Sequence, residues 1–513
     1  MIRRLSILLL MAFLLPALAC NLPGPPQSDV QQAVEGTLEA LRRQTDQAAQ
    51  ATPVPLFTVT PVPQLATELP SLPGVPPSDL IGDTFHYYTR PGDTLAALTL
   101  RFGVETGRIL DPQQYSPYNM LPAGLELSIP NVLGQVEPPD MLLPDSEVVF
   151  GPSAAGFLVA EYVQNAGGFL STYTEEVDGK LLTGAQVVEQ VSLDTSINPR
   201  ILLALLEYRS GWVTGSPSNP DQVAYPIGFQ APGFSGLLKE LTLTARQLTI
   251  GYYGWRSGKI VMLDFAGGAQ LRANPLLNPG SMALQYLFSK LYNPQNWRAE
   301  LFAPGRFMAF YSDLFGDPWV RAQSFEPVIP AGLIQPALEL PFPAGETWSL
   351  TGGPHAAWGV GSAWGGIDFA PASVEKGCTV SIYEATSAAA GLVVRSGRGV
   401  VILDLDGDGF EGTGWVLLYL HIADRDRIPA GTWVNVDDPI GHPSCEGGFA
   451  TGTHVHLARK YNGEWLAANE GVPFILSGWR VWEGERPYSG ALTRDDDIVT
   501  ARPDDAHASL ITR

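Results

Sequence analysis

The stretch Gly452-Thr453-His454-Val455-His456 constrains this chain more than any other. Side chains alternate faces along a strand, so two histidines one residue apart project from the same side of a sheet. One ring can then bind a metal while the other faces a bound substrate. The sequence has 7 histidines, and His355, His421, His442, His454 and His456 all lie in its last third. Taken alone, a His-x-His pair equally fits two half-exposed strand histidines.

Its neighbours narrow the choice. Upstream lie Thr351-Gly352-Gly353-Pro354-His355, then Trp364-Gly365-Gly366-Ile367-Asp368, then Leu418-Tyr419-Leu420-His421. Together these resemble the lysostaphin-like zinc endopeptidases, which cut peptide cross-links in bacterial cell walls. Most of that family carries its first two ligands as His-x-x-x-Asp, and here that histidine position is Trp364. The beta-lytic and staphylolysin-type branch has instead a Gly-Pro-His turn, a longer insert and a segment ending in Asp-Phe. Gly353-Pro354-His355 and Asp368-Phe369 are similar to that branch, with ligand numbers differing by 368 − 355 = 13. The resemblance implies an antiparallel β-groove in which His355, Asp368 and His456 hold Zn²⁺ and His421 and His454 are catalytic. A zinc with three protein ligands keeps a fourth position for water, whose pKa falls to about 7. His454 would take the water's proton, and His421 would steady charge on the carbonyl oxygen. His442 matches no family position and reads as a turn residue.

At 513 residues the chain is too long for one core, so several domains are expected. A formal charge of −21 excludes nucleic acid as a partner, because phosphate binding needs a basic surface. Residues 1–20 have a basic start at Arg3-Arg4, an apolar run from Leu5 to Leu15 and small residues before Cys20. This reads as a secretory signal. Its end, Ala17-Leu18-Ala19-Cys20, resembles a bacterial lipoprotein cleavage box, which implies a lipidated Cys20 holding an exported chain on the outer face of the membrane. The alternative is ordinary cleavage and release. Of the remaining cysteines, Cys378 and Cys445 most simply pair with each other in an exported protein. A bridge closing so long a loop stabilises by about 4 kcal/mol. If reduced, they are two small buried residues.

The expected fold class is multidomain α+β. Residues 21–83 form a Pro-rich linker unable to bury a core. Residues 84–131 resemble a LysM module through Tyr88-Thr89-Arg90-Pro91-Gly92-Asp93-Thr94-Leu95, Arg101-Phe102-Gly103-Val104 and Leu121-Pro122-Ala123-Gly124. That resemblance implies a βααβ fold and a peptidoglycan glycan as partner. A second linker spans 132–147, and a domain at 148–330 reads as all-α, with Asn198-Pro199 starting one helix and further helices at Leu237–Tyr252, Met282–Tyr292 and Phe307–Phe315. In Leu205-Leu206-Glu207-Tyr208-Arg209-Ser210, Glu207 vaguely resembles the acid of lysozyme-like transglycosylases. The helix end fits a solvated or ion-paired glutamate better. The peptidase region spans 336–490, with strands expected at Val380–Ile382, Gly391–Val394, Val400–Leu405 and Trp415–His421. Asp404-Leu405-Asp406-Gly407-Asp408-Gly409 opens like a calcium loop, but its twelfth position is Trp415, so an acidic hairpin turn is expected, with calcium as an extra ligand the alternative. Residues 491–513 read as an acidic tail or a final strand. The competing classes are a catalytically inactive wall-binding or amidase-activating protein, in which ligands are typically lost, and a wall glycosidase acting through Glu207, which would release reducing sugar without a metal.

Overall fold

The computed structural model describes residues 78–110, 113–134, 136–371, 377–503 and 506–513. The signal segment with Cys20, the body of the first linker and Asp111-Pro112 lie outside the described residues. No described helix is long and apolar enough to cross a membrane.

The N-terminal module is a three-stranded antiparallel sheet of Asp79–Ile81, Thr84–Tyr88 and Glu126–Pro130 packed on helix Leu95–Phe102. Thr94 caps the helix by accepting a bond from Ala97 N, and Gly103 ends it in the left-handed region. Phe85, Tyr87, Leu98, Phe102, Leu127 and Ile129 fill the core. Two expectations change here. The end of the supposed linker, Asp79–Ile81, is a strand of this sheet. In place of the second helix of a βααβ unit, the described residues hold a single 3₁₀ turn at Thr106–Arg108. Nor is the module a bead on a string. Arg101, 2% exposed, binds Asp93 at 2.9 Å and donates to Trp255 O at 3.0 Å and Arg256 O at 3.2 Å.

Asn or Asp followed by proline starts five helices of the next region, at Pro199, Pro220, Pro279, Pro294 and Pro318. In all but the helix after Asn278 the polar cap accepts a bond from the first turn, and proline's fixed φ suits N1. The expected long helices are present as Leu237–Arg256, Pro279–Leu291 and Phe307–Phe315. The region is not all-α, because Thr174–Val177 pairs with Lys180–Thr183 and Met262–Asp264 with Gln270–Arg272. Nor is 132–147 wholly a linker. Leu142 and Leu143 are buried, and fully buried Glu147 binds Arg321 at 2.7 Å, so its last residues belong to the helical core.

The C-terminal body is built on a nine-stranded sheet. Its path runs 433–434, 391–397, 400–404, 415–420, 455–461, 364–370, 347–356, 510–512, with 464–465 paired beside 455–461. A four-stranded sheet, 475–476, 479–483, 490–494 and 497–500, packs nearby. Of the two readings of 491–513, the acidic tail is corrected and the final strand is found: Ile511 pairs with Trp348 and is 2% exposed, so its apolar side chain closes the sheet edge. Val380–Ile382 is not a strand, and Ile382 is 81% exposed.

Strand alternation gives the large sheet two faces. Val401, Leu403, Leu417, Tyr419, Val455 and Leu457 share a core on one side. Ile402, Val416, Leu418 and Ala458 point the other way, into the same core as the helices. His456 has the parity of Ala458. The helical region therefore packs on the face that carries the histidine site.

Candidate metal centre

Register brings the site together. His456 pairs with Asp368 across one strand boundary and with Leu420, the residue before His421, across the other. On the far side of Asp368 lies the strand Thr347–Ala356, where Gly352 opposes Asp368 and His355 opposes Gly366. Irregular register between Leu350 and Ala356 reflects the Gly353-Pro354 turn that swings His355 inward.

Donor atoms of His355, Asp368 and His456 all lie within 4.8 Å of one another. All three residues are buried, at 5%, 6% and 3% exposure. A carbonyl oxygen only accepts, so hydrogen bonds to carbonyls fix the ring protons. His355 Nδ1 donates to Gly353 O at 2.9 Å, and His456 Nε2 donates to Ala357 O at 3.0 Å. In the neutral rings this leaves His355 Nε2 and His456 Nδ1 as lone pairs 3.0 Å apart. Asp368 Oδ1 lies 3.4 Å from the first and 3.1 Å from the second. Three lone-pair atoms facing one another in a buried site repel unless a cation sits among them, so the residues fit a divalent metal. The carbonyls behind the rings supply the usual outer support for metal-bound histidine.

Electrostatics agree. Burial lowers the His355 imidazole to about 4 although Asp368 opposes the shift, so the ring is neutral at pH 7 and able to bind a metal. Burial alone would raise the Asp368 carboxyl, but His355 and the other site histidines hold it well below the usual carboxylate range. It is ionised across the physiological range.

The other two expected residues stand beside this triad. His454 precedes its strand, with Nε2 3.8 Å from Asp368 Oδ1 and Nδ1 donating to Gly452 O at 2.8 Å. His421 donates from Nδ1 to Glu446 O at 2.8 Å, and its ring centroid is 4.4 Å from that of His454. Burial, then the neighbouring histidines, lowers His421 to about 3. Both rings thus direct Nε2 away from their carbonyl anchors, and neutral His421 offers there an acceptor and not a donor. His442 is held elsewhere, by Tyr383 O at 3.0 Å.

Several participants were not read from sequence. Tyr488, at φ 68°, stacks on His355 with centroids 4.0 Å apart, and exchanges backbone bonds with Gly353 and Pro354. Bulky residues rarely adopt that backbone, and His421 shares it at φ 68°. A Cβ on Gly366 would lie 2.1 Å from His456 Cε1, and one on Gly352 would lie 2.3 Å from Asp368 Oδ2. These glycines make room for the ligands. Trp364, at the position where most of the resembled family has a ligand, instead packs under Lys259 Nζ at 4.2 Å.

Outside the centre, Cys378 and Cys445 form a disulfide with Cα atoms 5.5 Å apart. The acidic stretch is the turn between strands Val400–Asp404 and Trp415–Leu420, where Asp404 accepts bonds from Asp406 N and Gly409 N. Glu207 is not poised as an acid. Its carboxylate accepts from Val213 N at 2.6 Å, Thr214 N at 2.9 Å and Thr214 Oγ1 at 2.5 Å, which fastens the loop after its helix.

Comparison with known proteins follows the same lines. Residues 141–328 match the family described as LasA, N-terminal domain. The chain is similar to a protease over most of its length. Protease LasA of Pseudomonas aeruginosa strain UCBPP-PA14 is 26% identical over 388 residues, 71% of this chain and 84% of that protein. The PAO1 protein is 26% identical over 387 residues with the same coverage. Among solved structures, the M23 metalloprotease pseudoalterin is 21% identical, covering 33% of this chain and 96% of that one, with a TM-score of 0.28. A zinc-containing peptidase from Vibrio cholerae is 18% identical, covering 27% and 41%, with a TM-score of 0.20.

Proposed function

We propose that the chain is a zinc metalloendopeptidase of the bacterial envelope that hydrolyses peptide stems or cross-links of peptidoglycan. In this reading the module at 84–131 grips glycan, and Cys20 carries the lipid that keeps the exported chain at the membrane. The observation that carries the proposal is the convergence of two carbonyl-anchored imidazoles and one ionised carboxylate on a single point. Two neutral nitrogens and one carboxylate oxygen suit zinc among the common divalent ions. When bound, zinc supplies Lewis acidity and a water acidic enough to ionise near neutrality. His454, anchored through Nδ1 with Nε2 towards Asp368, would be the base for that proton. His421, whose Nδ1 is bonded to Glu446 O, would receive that proton at Nε2 from His454, whose ring centroid is 4.4 Å away, and so protonated would face the oxyanion or pass the proton to the leaving amine. Presence of the full ligand set and both flanking histidines favours an active enzyme over a wall-binding relative that has lost its ligands.

Mass spectrometry of purified peptidoglycan digested with the chain tests the reading. New amino and carboxyl termini, abolished by chelation and restored by zinc, are expected. Reducing sugar release that survives chelation would refute it.

A further inference from the structure

A cavity of about 250 Å³ lies where the three bodies of the chain meet. Thr94 and Met120 of the N-terminal module, Tyr253 near the end of helix Leu237–Arg256, and Trp364 and Trp465 of the large sheet supply its walls. Those walls are fastened to one another. Met120 N donates to Gly471 O at 3.3 Å and Gly471 N to Tyr118 O at 2.7 Å, which stitches the loop after Trp465 to the module. The fully buried guanidinium of Arg459 holds the same loop, donating to Ala467 O at 3.3 Å, to Pro473 O at 3.1 Å and to Val472 O. On the helix side, Tyr253 Oη accepts from Trp465 N at 3.0 Å, and Arg256 binds Glu464 at 2.7 Å. None of the five histidine-site residues lines this space, so it is separate from the metal centre.

Its charges do not balance. Three carboxylates, Glu464, Glu470 and Glu483, line the cavity with two cations, Arg256 and Lys259. Arg256 is taken by Glu464, and Lys259 lies 3.4 Å from Glu483 and over the Trp364 ring. Glu470 is left over, with no hydrogen bond or ion pair to its carboxylate among the described residues. Burial and then Glu483 raise this carboxyl to about 7, against Lys259 and Arg101, and Arg101 is itself paired with Asp93 at 2.9 Å. Trp465, 3% exposed, also leaves its indole N–H without a partner among the described residues. An unpaired acid and an unpaired donor in one wall are costly as packing alone, and a ligand that meets both removes the cost.

We propose that this cavity binds a small amphipathic primary amine, with its ammonium on Glu470 and Glu483, its apolar body against Tyr253 and the tryptophans, and an oxygen accepting from Trp465. The volume suits a ligand of about ten non-hydrogen atoms. Because the walls come from module, helices and sheet together, the ligand stabilises the assembled chain. Only the ionised form of Glu470 pairs with an ammonium, so a proton competes with the ligand below neutrality.

Isothermal titration of the full chain tests this with three probes of one shape: tyramine, 4-ethylphenol and 4-hydroxyphenylacetate, which are cationic, neutral and anionic. Tyramine is expected to bind about tenfold more tightly than 4-ethylphenol, with the anion weakest. Its affinity should rise about tenfold from about pH 6 to 8. Glu470→Gln should bring tyramine to the level of 4-ethylphenol and flatten that profile, whereas Glu105→Gln, which removes an exposed acid elsewhere, should change neither. His355→Ala should bind tyramine as the parent does. Similar affinities for the three probes in the parent, tyramine binding by Glu470→Gln that equals the parent's, or loss of binding in His355→Ala would each overturn the proposal.

Discussion

Glu411→Gln probes whether the helices and the large sheet fold as one body. Glu411 accepts from Arg395 at 2.9 and 3.2 Å and from Lys460 at 3.1 Å, and each of these side chains is at most 6% exposed. Arg395 also binds Asp194, at the end of helix Gly184–Thr195, at 2.9 Å. Burial alone would raise the Glu411 carboxyl, but Arg395 and then Lys460 reverse this and hold it below its ordinary value. Glutamine keeps the volume and removes the charge, leaving Arg395 with Asp194 as its remaining acid and Lys460 without the carboxylate that it binds. Stranding a buried charge costs about 3–5 kcal/mol, on the order of a hundred- to a few-thousand-fold in the unfolding equilibrium. Urea denaturation read by tryptophan fluorescence and far-ultraviolet dichroism should show both signals moving together to lower urea. A depressed carboxyl contributes stability above its unfolded pKa and loses it on acidification, so the gap between parent and variant should close as pH falls below about 4.5. A midpoint unchanged to within about 0.5 kcal/mol, or two signals moving separately, would refute the reasoning.

Gly366→Ala should lower metal retention at least tenfold without touching a ligand, measured by competition with a chromogenic chelator, because its methyl would overlap the His456 ring. Glu207→Gln should cost about 1–2 kcal/mol in thermal unfolding through the loop it fastens, and leave peptide turnover unchanged. Asp404 is raised from 3.8 to about 7 by burial and then by Asp406. The folded chain therefore holds that proton more tightly, and its stability falls as pH rises from about 4 to 7. Melting temperatures of parent and Asp404→Asn should diverge over that window, the parent declining more steeply.

The centre was legible where chemistry sits on locally punctuated motifs. His355 follows a Gly-Pro turn, Asp368 follows paired glycines, and the His454-Val455-His456 alternation is a property of any strand. Those features survive in the linear sequence because they are local. What was missed depends on partners remote in sequence. Tyr488 meets His355 across more than a hundred residues, and nothing around it has a period. For 491–513 a final strand was one of two readings, and its pairing of Ile511 with the edge residue Trp348 could not be read locally. Segment 132–147 looks like a linker by its prolines, yet Glu147 is buried against Arg321 and Tyr311. The helical region's short hairpins are likewise too brief for a periodic signal. At Glu207 the motif fragment suggested an acid and the helix end a solvated or ion-paired residue, but neither shows the loop at Val213-Thr214 that it fastens.

The central claim is that three side chains share one metal. Elemental analysis of the purified full chain after exhaustive dialysis against zinc-buffered solution tests it directly, beside His355→Ala, Asp368→Ala, His456→Ala and His454→Ala. One zinc per chain is predicted for the parent and for His454→Ala, with little or none in the other three. Full zinc in His355→Ala would contradict the account.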